Sequence, residues 1–138
     1  MAEYSIITKH KGNMAFEAEI GSHKVIMDTV VEGDGDDSGP SPKKLLLGTL
    51  AACTGMDVVS LLKKMRVDYS GFEIVTNADL TAEHPKVFSS ISMIYRIKTG
   101  EENRGKVEKA VSLSQDKYCG ISAMLRKNSP LDYQIEFR

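Results

Sequence analysis

Residues 45–62 hold a single charged side chain, Asp57, in eighteen positions, and they include one of only two cysteines in the chain. As a helix this run would be apolar on nearly every side, so the rest of the chain must provide cover for it. Ser41 offers a capping oxygen and Pro42 a favoured first helical position, while Lys63, Lys64 and Arg66 place positive charge where the helix dipole is negative. The run is just long enough for a membrane span. Asp57, Thr49, Thr54, Ser60 and two glycines would make insertion costly, so the expectation is a buried core helix and no membrane partner.

A chain of 138 residues can bury one sizeable core, and a single domain over residues 1–138 is expected. Apolar content of 41%, charged content of 27% and a net charge of −1 lack the basic excess that nucleic acid or an anionic membrane surface would favour. The opening Met-Ala-Glu-Tyr carries neither a basic segment nor an apolar signal core, which points to a cytoplasmic setting. There, two cysteines are expected as thiols with inert, redox or metal roles rather than as a permanent bridge.

The flanking segments read as strands and short helices. Residues 4–8 form a first strand, Gly12 and Asn13 a turn, and Met14, Phe16, Ala18 and Ile20 alternate at the period of a half-buried strand. Residues 24–31 complete a three-stranded meander. Residues 32–40 are acidic and rich in turn formers, and read as a mobile surface loop; their calcium-loop spacing fails at Leu45, where a bidentate Glu is required. Beyond the apolar run, Phe72, Ile74, Thr76, Ala78 and Leu80 alternate, as do Ser89, Ile91, Met93, Tyr95 and Ile97, predicting a long hairpin. A helix then starts at Glu101-Glu102 with Val107, Ala110, Val111 and Ser114 on its core face. A second short helix follows near Cys119, and Leu131, Tyr133, Ile135 and Phe137 close the chain as a strand. The order βββ-α-ββ-αα-β predicts an α+β fold of antiparallel sheets packed on a long buried central helix. One sheet cannot cover a helix apolar all round, so a homodimer burying these helices between subunits is expected.

Both cysteines stand in suggestive surroundings. Cys53 precedes Thr54-Gly55, and glycine inside a helix costs about 1 kcal/mol relative to alanine unless something approaches closely. Cys119 falls in the first turn of the short helix, where free amides favour a thiolate. Asp57 shares a helical face with Cys53 and serves either as a hydrogen-bonded structural carboxylate or in tuning the thiol. A carboxylate alone would raise the thiol pKa, so a reactive Cys53 needs a nearby cation; Lys43 and Lys44 at the helix start and Lys9 and Lys11 in the first turn are the local supply. His10, His23 and His84 lack partners at ligand spacing, and no phosphate loop, nucleophile elbow or carboxylate pair stands out, so neither a metal nor a cofactor is expected.

The helix-start segment Ser41-Pro42-Lys43-Lys44-Leu45-Leu46-Leu47-Gly48-Thr49-Leu50-Ala51-Ala52-Cys53 resembles the NPEQLLAAALAAC helix of the OsmC/Ohr family, the osmotically inducible and organic hydroperoxide resistance proteins. Tyr118-Cys119-Gly120-Ile121-Ser122-Ala123 is similar to that family's second motif, CPVSxA. Together with the element order, the resemblance extends over essentially the whole chain, and Cys53 to Asp57 with His84-Pro85-Lys86 look like its less characterised OsmC-like branch. It implies an intertwined homodimer and thiol peroxidase chemistry: Cys53 attacks an organic hydroperoxide, Cys119 resolves the sulfenic acid as a disulfide, and a dithiol reductant such as a lipoyl protein restores the thiols. Two departures stand against it. The family's activating Arg falls here on Asn13 or Met14, and the Glu that pairs with it corresponds to Lys43. Either Lys43 or Lys11 supplies the charge in another way, or the thiols serve a lipophilic-ligand-binding or redox-sensing dimer. Inert core cysteines are the remaining alternative.

Overall fold

Residues 2–138 are described by a computed structural model, in which the chain forms two compact units that divide between Leu46 and Leu47. In the N-terminal unit β1 (Ile7–His10), β2 (Phe16–Ile20) and β3 (His23–Met27) form an antiparallel meander in sequence order. Alternation in the sequence would carry the third strand to residue 31, but the strand stops at Met27, and Asp28 is the reason. Its buried carboxylate accepts the backbone N–H groups of Thr29, Ser38 and Asp36 at 2.7, 3.1 and 3.3 Å and the Ser38 hydroxyl at 2.6 Å. These donors, the Ser38 hydroxyl foremost, favour the ionised form and hold the Asp28 pKa down to about 2. Val30 and Val31 are thereby turned out to solvent. Asn13, with φ of 46°, adds a second tie, its amide donating to the Asp34 carbonyl at 2.8 Å and to the Asp36 carboxylate at 3.3 Å. The acidic segment that reads as a mobile loop is folded around a carboxylate.

The long helix α1 (Pro42–Lys64) begins at the expected proline, with the Leu45 N–H donating to the Ser41 carbonyl at 2.9 Å. Leu50, Thr54, Val58 and Leu62, four residues apart, are its buried positions. The expectation of burial on nearly every side is therefore not met within one chain: Met56 is 71% exposed, and Val59 and Leu46 are exposed as well. By length and composition α1 could cross a membrane, with a hydropathy of 1.8 over its most apolar window. Its Leu50–Thr54–Val58–Leu62 stripe instead lies within the protein. The helix ends with Arg66 at φ of 57°, the Arg66 N–H donating to the Lys63 carbonyl at 3.1 Å and the Val67 N–H to the Leu62 carbonyl at 3.0 Å. This left-handed cap satisfies two carbonyls that the helix cannot.

The C-terminal unit is built on a second sheet. β4 (Tyr69–Leu80) pairs antiparallel with β5 (Phe88–Thr99), and β6 (Leu131–Phe137) lies on the other side of β5. Ile91, Met93, Tyr95 and Ile97 of β5 are buried without interruption of the two-residue period. They pack with the α1 stripe and with Val107, Ala110 and Val111 of α2 (Arg104–Leu113) in one hydrophobic core. Each fully buried Leu, Ile or Val contributes about 1.5–3 kcal/mol. α2 runs into a π-helical turn at Ser114–Tyr118 and then α3 (Gly120–Arg126). β6 pairs parallel to β5, from Ile91 opposite Leu131 to Ile97 opposite Phe137, the one departure from the antiparallel sheets expected. The helices between the two strands form a crossover, which returns β6 to the end of the sheet where β5 began. The architecture is α+β.

Candidate active site

The π-helical turn sets the geometry of the site. Its closing bond runs from the Cys119 N–H to the Ser114 carbonyl at 2.7 Å, one residue wider than an α-helical bond. Backbone at Cys119 then becomes extended, and Cys119 caps α3: its sulfur accepts the Ser122 N–H at 3.4 Å. Cys119 is 3% exposed, whereas Cys53, in the middle of α1, is half-buried. The two free thiols, 66 positions apart, come together: Cys53 packs against the core cluster that holds Cys119, near enough for Cys119 to act on its ionisation. The Ile121 backbone N–H, in the first turn of α3, lies close enough to the Cys53 sulfur to favour its thiolate.

These contacts pull the Cys53 thiol in both directions. Burial raises its pKa above the ordinary 9.0 and is the largest influence; the Ile121 N–H favours the thiolate and opposes it, while Cys119 and the Asp57 carboxylate push further upward. Asp57 lies one turn beyond Cys53 on α1 and accepts the Ser114 hydroxyl at 2.9 Å, so it is both hydrogen-bonded and electrostatically felt by Cys53. Lys11 is exposed in the β1–β2 turn, where its charge bears on Glu19, and Lys43 is exposed in the first turn of α1. Gly55 does not serve the close approach that its position in the helix invites. A Cβ there would meet only Ile74 Cδ1, at 3.4 Å, so within this chain no close approach demands glycine.

Sequence reasoning missed a set of buried polar side chains beside the thiols. Thr54 Oγ1 is hydrogen-bonded to Tyr95 Oη at 2.6 Å and to Ser114 Oγ at 2.7 Å. The Gln115 amide donates to Tyr95 Oη at 2.7 Å and more weakly to Thr54 Oγ1 at 3.4 Å. The Arg126 guanidinium donates to Gln115 Oε1 at 2.7 Å and to its backbone carbonyl at 3.2 Å. Burial raises the Tyr95 pKa, with Thr54 and Gln115 opposing it, so the phenol is neutral at physiological pH. The signal was present in the sequence as phase: Thr54 and Tyr95 occupy core-facing positions of α1 and β5, and Ser114 continues the core face of α2 into the π-helical turn, where an apolar residue would be expected. Among the described residues no group of three or more His, Cys, Asp or Glu side chains could hold a metal.

Over residues 34–134 the chain matches the OsmC-like protein family. Protein YhfA of Escherichia coli strain K12 is 31% identical over 114 residues, which cover 83% of this chain and 82% of that protein. An OsmC-like protein from Mycoplasma pneumoniae superposes with a TM-score of 0.83 at 11% identity, covering 99% of this chain and 97% of that one. The organic hydroperoxide resistance protein OhrB of Bacillus subtilis does so with a TM-score of 0.63 at 18% identity, covering 98% and 100%. At these identities the solved structures speak to the fold alone, whereas the sequence match spans both cysteines and most of the chain. The chain belongs to the OsmC-like protein family.

Proposed function

We propose that the protein is a thiol peroxidase acting on organic hydroperoxides. The observation that carries this reading is the meeting of Cys53 and Cys119, one thiol reachable from outside and the other buried. Accessibility assigns the roles. The Cys53 thiolate attacks the terminal oxygen of the hydroperoxide, the O–O bond breaks, and the alcohol leaves with a proton, giving Cys53 sulfenic acid. Cys119 sulfur then attacks the Cys53 sulfur; the S–S bond forms, the S–O bond breaks, and hydroxide leaves as water with the Cys119 proton. A dithiol reductant, a lipoyl protein by family resemblance, takes up the oxidising equivalents and restores both thiols. A homodimer is the form in which we place this chemistry, because the open apolar face of α1 at Met56 and Val59 calls for cover.

Intact mass after one equivalent of cumene hydroperoxide tests the reading. The expected result is loss of the mass of two hydrogens per chain, mapped to a Cys53–Cys119 disulfide. Cys119→Ser should instead accumulate a species heavier by one oxygen, and Cys53→Ser should not react. Unchanged mass in the wild type would refute it.

A second reading is a lipophilic-ligand-binding or redox-sensing dimer without turnover. A cavity of about 360 Å³ in the N-terminal unit, lined by Met14, Phe16, Met27 and Pro42, favours it. So does Asn13, which stands near the place of the family's Arg and is engaged with Asp34 and Asp36. That reading expects a lipophilic ligand to raise the melting temperature while Cys53 remains reduced.

A further inference from the structure

We infer that Thr54 and Gln115 are positioning residues for the Cys53–Cys119 disulfide, acting through a one-way hydrogen-bond chain from Arg126 to Asp57. The direction follows from the end groups. A carboxylate only accepts, so Ser114 donates to Asp57 Oδ2. With its hydrogen committed, Ser114 accepts from Thr54, and Thr54 in turn accepts from Tyr95. Tyr95 Oη accepts from the Gln115 amide, whose oxygen accepts from Arg126. Each of the three hydroxyl hydrogens, on Tyr95, Thr54 and Ser114, then has a partner along the series, and this is the direction that satisfies the carboxylate at one end and the guanidinium at the other; the Ser114 contact to the Thr54 carbonyl, at 3.5 Å, is the longer one.

The chain lies across the junction that the resolving step depends on. Thr54 adjoins Cys53 on α1, Ser114 and Gln115 open the π-helical turn that delivers Cys119, and Arg126 stands at the end of α3, whose first turn brings the Ile121 N–H close to Cys53. Thr54, Ser114 and Gln115 are all at most 3% exposed, so water cannot take over a lost partner. The ties therefore fix α1 against the 114–126 segment, and with them the separation of the two sulfurs. This inference rests on reading Cys53 and Cys119 as an attacking and resolving pair. It adds which side chains hold the pair at reacting distance.

The test is the equilibrium of the Cys53–Cys119 disulfide in glutathione redox buffers, which needs no peroxide. Thr54→Val keeps the shape and removes the hydroxyl. It should lower the disulfide equilibrium constant at least tenfold, a shift of about 30 mV toward more oxidising potential. Thr54→Ser, which retains the oxygen, should return to within threefold of the wild type. After peroxide, Thr54→Val should accumulate Cys53 sulfenic acid, trapped by dimedone, where the wild type shows disulfide. Arg126→Met, a change at the exposed end of the chain, should shift the midpoint in the same direction and provides the measurement if Thr54→Val does not fold. A wild-type midpoint in a folded Thr54→Val or Arg126→Met variant would overturn the inference, as would failure of the wild type to form this disulfide in any buffer. A wild type that forms the disulfide with glutathione but shows no mass loss with hydroperoxide would sink the peroxidase reading and leave the positioning role standing.

Discussion

The sulfur of Cys53 sits between opposing influences, and their balance makes a prediction. Burial, Cys119 and Asp57 favour the thiol, and the Ile121 N–H favours the thiolate, with burial the largest. A raised thiol pKa means that the reactive anion is the minor form at neutral pH and grows about tenfold per unit as pH rises. Stopped-flow oxidation by cumene hydroperoxide should therefore climb through the alkaline range and reach its half-point above pH 9.0, the ordinary value. A half-point near neutrality would show that another cation reaches the sulfur, one supplied by a second copy of the chain. The cysteines themselves were legible in the sequence, because each sits in a motif and one opens a short helix. Their environment was not. The sequence offers Lys11 and Lys43 as cations, yet what acts on Cys53 includes a backbone amide, which no residue type announces, and Asp57, whose hydrogen bond to Ser114 joins residues 57 positions apart.

Among the elements, α1 shows how phase and ends were read with different success. Its start at Pro42 and its basic last turn follow the sequence signals, since capping and dipole preferences are local. Its exit does not carry the usual glycine: Arg66 occupies the left-handed conformation, at φ of 57°. A side chain bearing Cβ pays for that conformation, and glycine does not. Arg66→Gly should therefore stabilise the fold by about 0.5–1 kcal/mol, raising the thermal midpoint by about 2–4 °C in a calorimetric scan. The π-helical turn at Ser114–Tyr118 was invisible in advance. One extra residue per turn leaves no compositional mark, and it arises here because Ser114 and Gln115 find partners on α1, β5 and α3. The early end of β3 has a similar origin: alternation predicts extension to residue 31, but four donors converge on Asp28 and draw the chain into a loop.

For the whole molecule, the open apolar face of α1 leads to an expectation about assembly. Met56 is 71% exposed in a groove with Gly55, Val59 and Phe72, although it lies in the most apolar stretch of the chain. Sedimentation at micromolar concentration should give twice the 15.2 kDa chain mass. Met56→Glu changes a side chain that is already 71% exposed within one chain, yet an unpaired charge cannot be accommodated in an apolar interface. That variant should sediment as a folded monomer; a wild type that is already monomeric would refute the dimer. The sequence by itself determined the α+β class, the element order, the long apolar helix and the alternation of β5, because propensity, capping and hydrophobic period act over a few residues. Only the tertiary structure decided that β6 runs parallel to β5, that the two thiols meet, and that Thr54, Tyr95, Ser114, Gln115 and Arg126 link up beside them. Those outcomes join residues far apart in the chain. Each is fixed by where the packed core leaves a buried polar group to find its partner, which no local pattern encodes.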